Sequence, residues 1–401
     1  MEPLSDQRIR LAIVATHPIQ YFAPFFRDLA ARADVELMVF FAHRPNAAHQ
    51  GEGFGVAFEW DIDVTGGYPH QFLENVAKVP AGFRGYDCPE IGKLLVAGKF
   101  DFVVLQGWGW KCFWQAAAAC RRAGIPYGVR SDSQLPQRKT HWSGLIKQRI
   151  RRMVYPLFIS RIPLCLPYGE RSAEYFRCYG ARKIGIAPHC IDNAFFSGEA
   201  AKALPERGPW RQKFGVPGNA ICFLFCGKFI PKKRPSDVIA AFAKLLKDSE
   251  VPVHLLMVGS GELEDILKEQ ANSVGRGISF AGFMNQSAMP AVYTAADCLV
   301  LPSDSGETWG LVVNEAMACG LPAIVSDSCG CVPDLIRTGH SGYSYPEGEI
   351  RELSGRMKEM LVPGQAARMG EGARELLEGK FNVTYAAGLL CASIRKLLVP
   401  G

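Results

Sequence analysis

The chain has 401 residues, 48% of them hydrophobic and 21% charged, with a net charge of +6. That length calls for two domains, each with its own core, and the composition excludes a disordered or fibrous protein. The basic excess is spread along the chain without a Lys/Arg tract, which argues against a nucleic-acid arm and leaves an anionic small molecule or membrane surface as the partner.

From the start, "MEPLSDQRIRLAIVATHP" reads as a first strand rather than a signal peptide, because its start is acidic and its apolar run short. No run approaches the roughly 18 apolar residues of a membrane span. A cytoplasmic protein is expected, with peripheral contact at the inner face of a membrane left open. Short β-rich runs then alternate with amphipathic helical patterns, the signature of parallel sheets with right-handed crossovers. Strands are expected at 10–16, 35–41, 101–106, 126–131, 163–167 and 183–188, with a helix at 112–124. The stretch 43–86 is irregular and rich in Gly and aromatic residues, with short strands or a flexible substrate loop as the alternatives. Cations and apolar residues mix in "LIKQRIRRMVYPLFISRIP" (145–163). An ordinary surface helix broken at Pro156 is the favoured expectation there, and contact with anionic lipid the alternative.

The polar, Pro/Gly-dotted stretch 192–214 is expected to be a linker. Beyond it the pattern sharpens, with strands at 220–227, 253–259, 278–282, 297–303 and 322–327 and helices at 235–247, 261–273, 287–295 and 311–319. A last helix, 382–398, has no strand after it. The expected organisation is an N-terminal Rossmann-like domain over 1–200, a second over 201–380, and a terminal helix over 381–401 that packs back on the first domain. The fold class is α/β, two Rossmann-like domains facing a central cleft. Thirteen cysteines without CxxC…CxxC spacing read as buried free thiols rather than a zinc site.

In parallel sheets ligands bind beyond the C-terminal strand ends, so the loops after the strands carry the chemistry. "CGKFIPKKRP" places Lys228, Lys232, Lys233 and Arg234 after Gly227 and before a helix start. Four cations at a positive helix end suit an anion, although no P-loop pattern is present. "VGSGELEDIL" brings Gly259 and Gly261, a tight turn on the same rim. "SDSGETWGLVVNEAMACG" follows, with Glu307 in a loop, Thr308, Trp309 and Gly310 leading into a helix at Leu311, and Glu315 within that helix. A buried carboxylate is costly unless something binds it, and carboxylates accept well from sugar hydroxyls. Phosphate donors beside hydroxyl acceptors suit a sugar nucleotide.

Glu307 and Glu315 resemble the E-x7-E motif of the retaining glycosyltransferases of family four, which have the two-Rossmann-domain B-type fold. "GKFIPKKRP", "FAGFM", "MPAVYTAADCLVLPSDSGETWG" and "CGLPAIVSDSCGCVPDLIRTGHSGY" resemble the family's surrounding segments. The resemblance covers about 220–345 and thins in the first half. It implies that Glu315 holds the nucleotide ribose and Glu307 the donor sugar. Lys228 and Lys233 would neutralise the diphosphate beside the Gly310 and Leu311 amides. The backbone at Phe283 and Met284 would meet the base, and Gly227, Gly259, Thr308 and Trp309 would line the donor site. Many relatives carry Arg where this chain has Lys228, and glycines where it has "ATHPIQYF". His17 there is a candidate for contact with donor phosphate or acceptor, or a local structural cap.

The resemblance implies a retaining, metal-independent hexosyltransferase acting from a nucleotide-diphosphate sugar onto a saccharide or lipid-linked acceptor in glycan or envelope polysaccharide assembly. No cofactor is expected. A sugar-nucleotide epimerase of similar fold and a non-catalytic sugar-nucleotide-binding protein are the alternatives. A dinucleotide-dependent oxidoreductase would need GxGxxG after the first strand, where "THPIQY" stands. On the acceptor side, Gln106, Trp108, Trp110 and "RSDSQ" (130–134) are candidates, with core packing the alternative for the tryptophans. "WDIDV" contains a D-x-D, Asp61 and Asp63, expected to be ordinary loop or strand alternation rather than a metal site.

Overall fold

A computed structural model describes residues 8–78, 82–136 and 142–398. The chain clusters into two compact units. One runs to Pro45, from Asp63 to Cys190 and from Val383 onward; the other is Asn46–Ile62 together with Ile191–Asn382. The division falls at 190/191 rather than 200/201, and a seventeen-residue excursion from the first half belongs to the second unit.

The first unit holds β1 (Ile9–Ala15), β2 (Val35–Phe41), β3 (His70–Phe72), β4 (Phe102–Leu105), β5 (Tyr127–Ser131) and β6 (Leu164–Pro167), all parallel, in the order β3-β2-β1-β4-β5-β6. The second holds β7 (Ile221–Cys226), β8 (Val253–Val258), β9 (Ile278–Gly282), β10 (Cys298–Leu301), β11 (Ala323–Ser326) and β12 (Gly342–Tyr345), also parallel, in the order β12-β11-β10-β7-β8-β9. Both orders reverse beside their first strand, the Rossmann arrangement. The expected fold class of two Rossmann-like domains is therefore found. Strands such as "CFLF" and "HLLMV" are buried because helices cover both faces of a parallel sheet.

Four local expectations are corrected. Residues 183–188 form only an isolated bridge, Cys165 to Ile184. The Ile186 amide bonds instead to Ser393 Oγ on the last helix at 3.1 Å, and Ile186 itself is exposed. The linker 192–214 is helical, Asn193–Ala203 and Arg207–Lys213. Its buried Arg211 donates to the Ala295, Gly218 and Ala220 carbonyls and to Asp297, which ties it to the start of β10. Pro156 does not break its helix, which runs Trp142–Ile159. Strand β12 was not anticipated and β3 falls where short strands were one of two alternatives; each has only three or four residues.

The helix Val383–Leu398 belongs to the first unit. It buries Ala386, Ala387, Leu390 and Ile394 in the same apolar cluster as Leu11, Ile13 and Phe26. Thr384 donates to Asp28 at 2.6 Å, and Arg395 pairs with Asp34 at 3.2 Å. All thirteen cysteines are free thiols, most of them buried.

Candidate functional site

In the second unit the strand order reverses between β7 and β10. The loops that follow these two strands are 227–234 and 302–310, so the topology itself brings the basic loop and the Glu307 loop to one place. The Asp304 amide donates to the Lys232 carbonyl at 2.9 Å, which stitches the two loops together. At their centre the Lys233 ammonium pairs with the Glu307 carboxylate, with side-chain exposures of only 18% and 10%.

Burial alone would push the Glu307 carboxyl up and pull Lys233 down. The attraction of Lys233, with Lys232 behind it, holds Glu307 below the ordinary carboxylate range, and Glu307 holds Lys233 above the ordinary lysine value. The pair is ionised. Arg234 is drawn off: it adopts φ +50° and donates to Asp237 at 2.7 Å. Three of the four expected cations, Lys228, Lys232 and Lys233, thus remain about the switch point.

Gly310 precedes the helix Leu311–Ala318 with φ +98°, and a Cβ there would stand 2.7 Å from Leu301. Only glycine lets this helix start sit so close to β10. Trp309 is buried and donates from Nε1 to Asn314 at 2.9 Å. The "SCGC" turn braces the loop from behind, with the Gly330 amide on the Glu307 carbonyl at 3.0 Å and Cys331 on that of Trp309 at 3.1 Å. Thr308 backs onto Gly330, where a Cβ would stand 1.8 Å from its carbonyl oxygen. Glu315 is 4% exposed. Its Oε2 accepts from the Tyr293 hydroxyl at 2.6 Å and its Oε1 from Gln286 at 3.3 Å. The burial cost is thus met by hydrogen bonds within the protein.

Gly227 leaves β7 with φ +153° and open space where a side chain would stand. Gly259 differs: a Cβ there would lie 1.9 Å from the Gly227 carbonyl oxygen, so neighbouring backbone requires it to be glycine.

The excursion Asn46–Ile62 lies in the stretch 43–86, where a substrate loop was one of two alternatives. It straps across the loops after β7, β8 and β9. Lys228 Nζ donates to the Glu52 carbonyl and stands 5.0 Å from the Phe54 ring. Ser260 donates to the Phe54 carbonyl at 2.7 Å, and Asn285 to that of Glu59 at 2.7 Å. Phe283 packs against Phe54 and Phe58 at 5.0 and 4.5 Å. Burial, together with repulsion from Lys233 and Lys232, keeps Lys228 below the ordinary lysine value against the pull of Glu52. The Gly and aromatic excess of "GEGFGVAFEW" was the available signal. Met284 adjoins Phe283 in the loop after β9.

Asp61 and Asp63 do not act together. Asp61 accepts from the Ser287 amide at 3.1 Å and from its hydroxyl, anchoring the strap. Asp63 belongs to the first unit and accepts from the Thr65 and Gly66 amides at 2.9 and 2.7 Å, a local turn.

His17 lies half-buried two residues beyond β1, where the first sheet reverses. The acceptor-side aromatic candidates pack internally. Trp108 donates to Ser133 at 3.2 Å and sits 5.1 Å from both Tyr155 and Phe158, while Trp110 packs on Tyr86 at 4.5 Å. Gln106 accepts from the Tyr168 hydroxyl at 3.1 Å. Arg130, at the end of β5, is buried between the Phe25 and Tyr168 rings and donates to the Pro188 carbonyl at 3.1 Å.

Comparison with known proteins gives curated relatives that match about half of the chain or less and solved structures that match nearly all of it. A D-inositol 3-phosphate glycosyltransferase of Streptomyces bingchenggensis is 32% identical over 215 residues, 51% of this chain and 46% of the relative. An N-acetyl-alpha-D-glucosaminyl L-malate synthase of Bacillus anthracis is 32% identical over 174 residues, 43% of this chain and 44% of the relative. The chain thus spans about half the length of the curated relatives it matches. Anabaena HepE, solved in complex with UDP and glucose, superimposes with a TM-score of 0.69 at 18% identity, covering 97% of this chain and 100% of that one. Residues 206–376 match the family model "Glycosyl transferases group 1", so that Lys228, Lys233, Glu307 and Glu315 all fall in the matched segment of a chain with the B-type, two-Rossmann-domain glycosyltransferase fold.

Proposed function

We propose that the protein is a retaining glycosyltransferase that moves a hexose from a nucleotide-diphosphate sugar to a saccharide or lipid-linked hydroxyl in glycan assembly, without a metal ion. The observation that carries this reading is the ionised Lys233–Glu307 pair at the β7/β10 switch point, with Lys228 and Lys232 beside it. The names of the relatives support it, since two independent matches are named for glycosyl transfer or glucosaminyl product formation.

Lys233 and Lys228 hold the diphosphate of the donor, and the Gly310 and Leu311 amides at the helix start add positive potential. Glu307 accepts from hydroxyls of the donor sugar while it fixes Lys233. Glu315 accepts from the ribose. As the glycosidic bond breaks, negative charge grows on the leaving phosphate, and fixed cations in a partly dried site stabilise it. The departing phosphate oxygen takes the proton of the incoming hydroxyl on the same face, which retains configuration and needs no side-chain base.

The test is a thermal-shift panel of nucleotide sugars, followed by transfer assays with the stabilising donor. Stabilisation rises with the logarithm of ligand concentration over Kd, so the true donor stands out. The product anomer read by NMR should match that of the donor. An inverted product, or turnover abolished by EDTA and restored by manganese, overturns the mechanism; isomerisation of the donor without an acceptor shows an epimerase instead.

A further inference from the structure

The helix Trp142–Ile159 of the first unit presents an apolar stripe outward. Ile146, Ile150, Met153, Val154 and Leu157 are all between 44% and 72% exposed. At about 100° per residue, these five fall within an arc of about 100°. The opposite side is the one that packs: Ile159 is fully buried, and Tyr155 and Phe158 lie against the cluster that holds Tyr175 and Tyr179. The outward stripe is therefore not the core face of a misread helix.

Cations border the stripe. Lys147 and Arg149 fall on opposite flanks of the arc, while Arg151 and Arg152 stand further round, beside Tyr155 and Ile159; all four are exposed. No Asp or Glu occurs between Asp132 and Glu170. Long basic side chains on both shoulders of an apolar face reach up to anionic headgroups while the apolar residues enter the acyl boundary. Among the described residues no helix is long and apolar enough to cross a membrane, so the contact is parallel to the surface.

We infer that this helix docks the protein on an anionic lipid surface. A second copy of the chain is disfavoured as the occupant, since a self-complementary face would bring the Lys147 and Arg149 cations of one copy against those of the other. The inference stands apart from the transfer reaction, because vesicle binding is read without turnover.

The experiment is co-sedimentation of the full chain with sucrose-loaded vesicles of phosphatidylcholine alone or with phosphatidylglycerol, at low and high salt. Binding is expected only with phosphatidylglycerol and should fall at high salt. Lys147→Ala with Arg149→Ala should weaken partitioning about 25-fold, at about fivefold per cation. Met153→Glu with Leu157→Glu should abolish it; both side chains are exposed, so folding and donor-induced thermal shift should be kept. Failure of the wild-type protein to bind phosphatidylglycerol overturns the inference. So does undiminished binding by the Glu variant, or a wild-type dimer in solution that this variant dissociates without any vesicle binding.

Discussion

Replacing Lys233 by Met or Glu307 by Gln leaves one partner of a buried pair alone. Removing one member of such a pair costs about 3–5 kcal/mol when both groups are fully dry. Here Lys233 keeps 18% of its side-chain surface and Glu307 10%, so water reaches the lone partner and the expected cost is about 2–3 kcal/mol. For a unit of roughly 200 residues each kcal/mol moves Tm by about 2–4 °C, giving a drop of about 5–10 °C for either single variant. The double variant Lys233→Met/Glu307→Gln removes both charges and should recover most of that loss, leaving a coupling of about 2 kcal/mol in urea unfolding. Because Glu307 is held below the ordinary carboxylate range, its contribution is complete above the unfolded-state value and fades as pH falls through the folded one. Lys233 is held above its ordinary value, so its contribution fades only as pH rises through that higher value. The coupling should therefore be flat from about pH 5 to 10. Turnover separates stability from chemistry: the double variant should be as stable as expected and still inactive. A double variant that regains transfer makes the pair a structural brace, and single variants within about 1 °C of wild type refute the claim that it is desolvated.

Glu315→Ala should weaken nucleoside diphosphate binding in calorimetry by about 1.5–3 kcal/mol, whereas Glu307→Ala should cut transfer far more than it cuts binding; equal losses in both remove the assignment. Lys232→Ala should leave donor saturation within a few-fold, because its side chain screens Glu307 without pairing to it, and Lys233→Ala should abolish it. Asp61→Asn keeps an acceptor for the Ser287 amide and should leave the donor KM within about twofold; Asp61→Ala frees the strap and should raise both that KM and the hydrogen exchange of 46–62, with no rescue by manganese. Burial, aided by Arg211, lowers His254 to about 4. A folded pKa below the unfolded one means that the unfolded state binds more protons, so stability is full above about pH 6.5 and declines as pH falls toward 4. His254→Phe should flatten that acid limb in urea titrations at pH 7 and pH 5, and an unchanged slope refutes the assignment.

The parts of the site that were legible in the sequence are those whose chemistry is local. Lys233 follows β7 and Glu307 follows β10 within one loop each, and a strand-loop-helix pattern is written in neighbouring residues. What sequence could not show is which of four clustered cations meets Glu307. Arg234 is spent on Asp237, three residues on, and Lys228 on a carbonyl 176 residues away. The strap was illegible for the same reason. Phe54, Phe58 and Asp61 have no periodicity because their partners are Phe283 and Ser287, in the other half of the chain. The linker 192–214 looked polar because one face of its helices is solvated, while Arg211, counted as surface charge by any composition rule, is buried on Asp297 and four carbonyls. The helix at Pro156 errs in the opposite direction. It reads as an ordinary surface helix broken at Pro156, but it is unbroken, the arc facing inward is Tyr155, Phe158 and Ile159, and the richer apolar arc faces out. Hydrophobic pattern reports that a face will be covered; it does not report by what. A strap or an anionic lipid surface can each supply that cover, and both leave the same trace in sequence: apolar residues that the chain's own regular elements fail to account for.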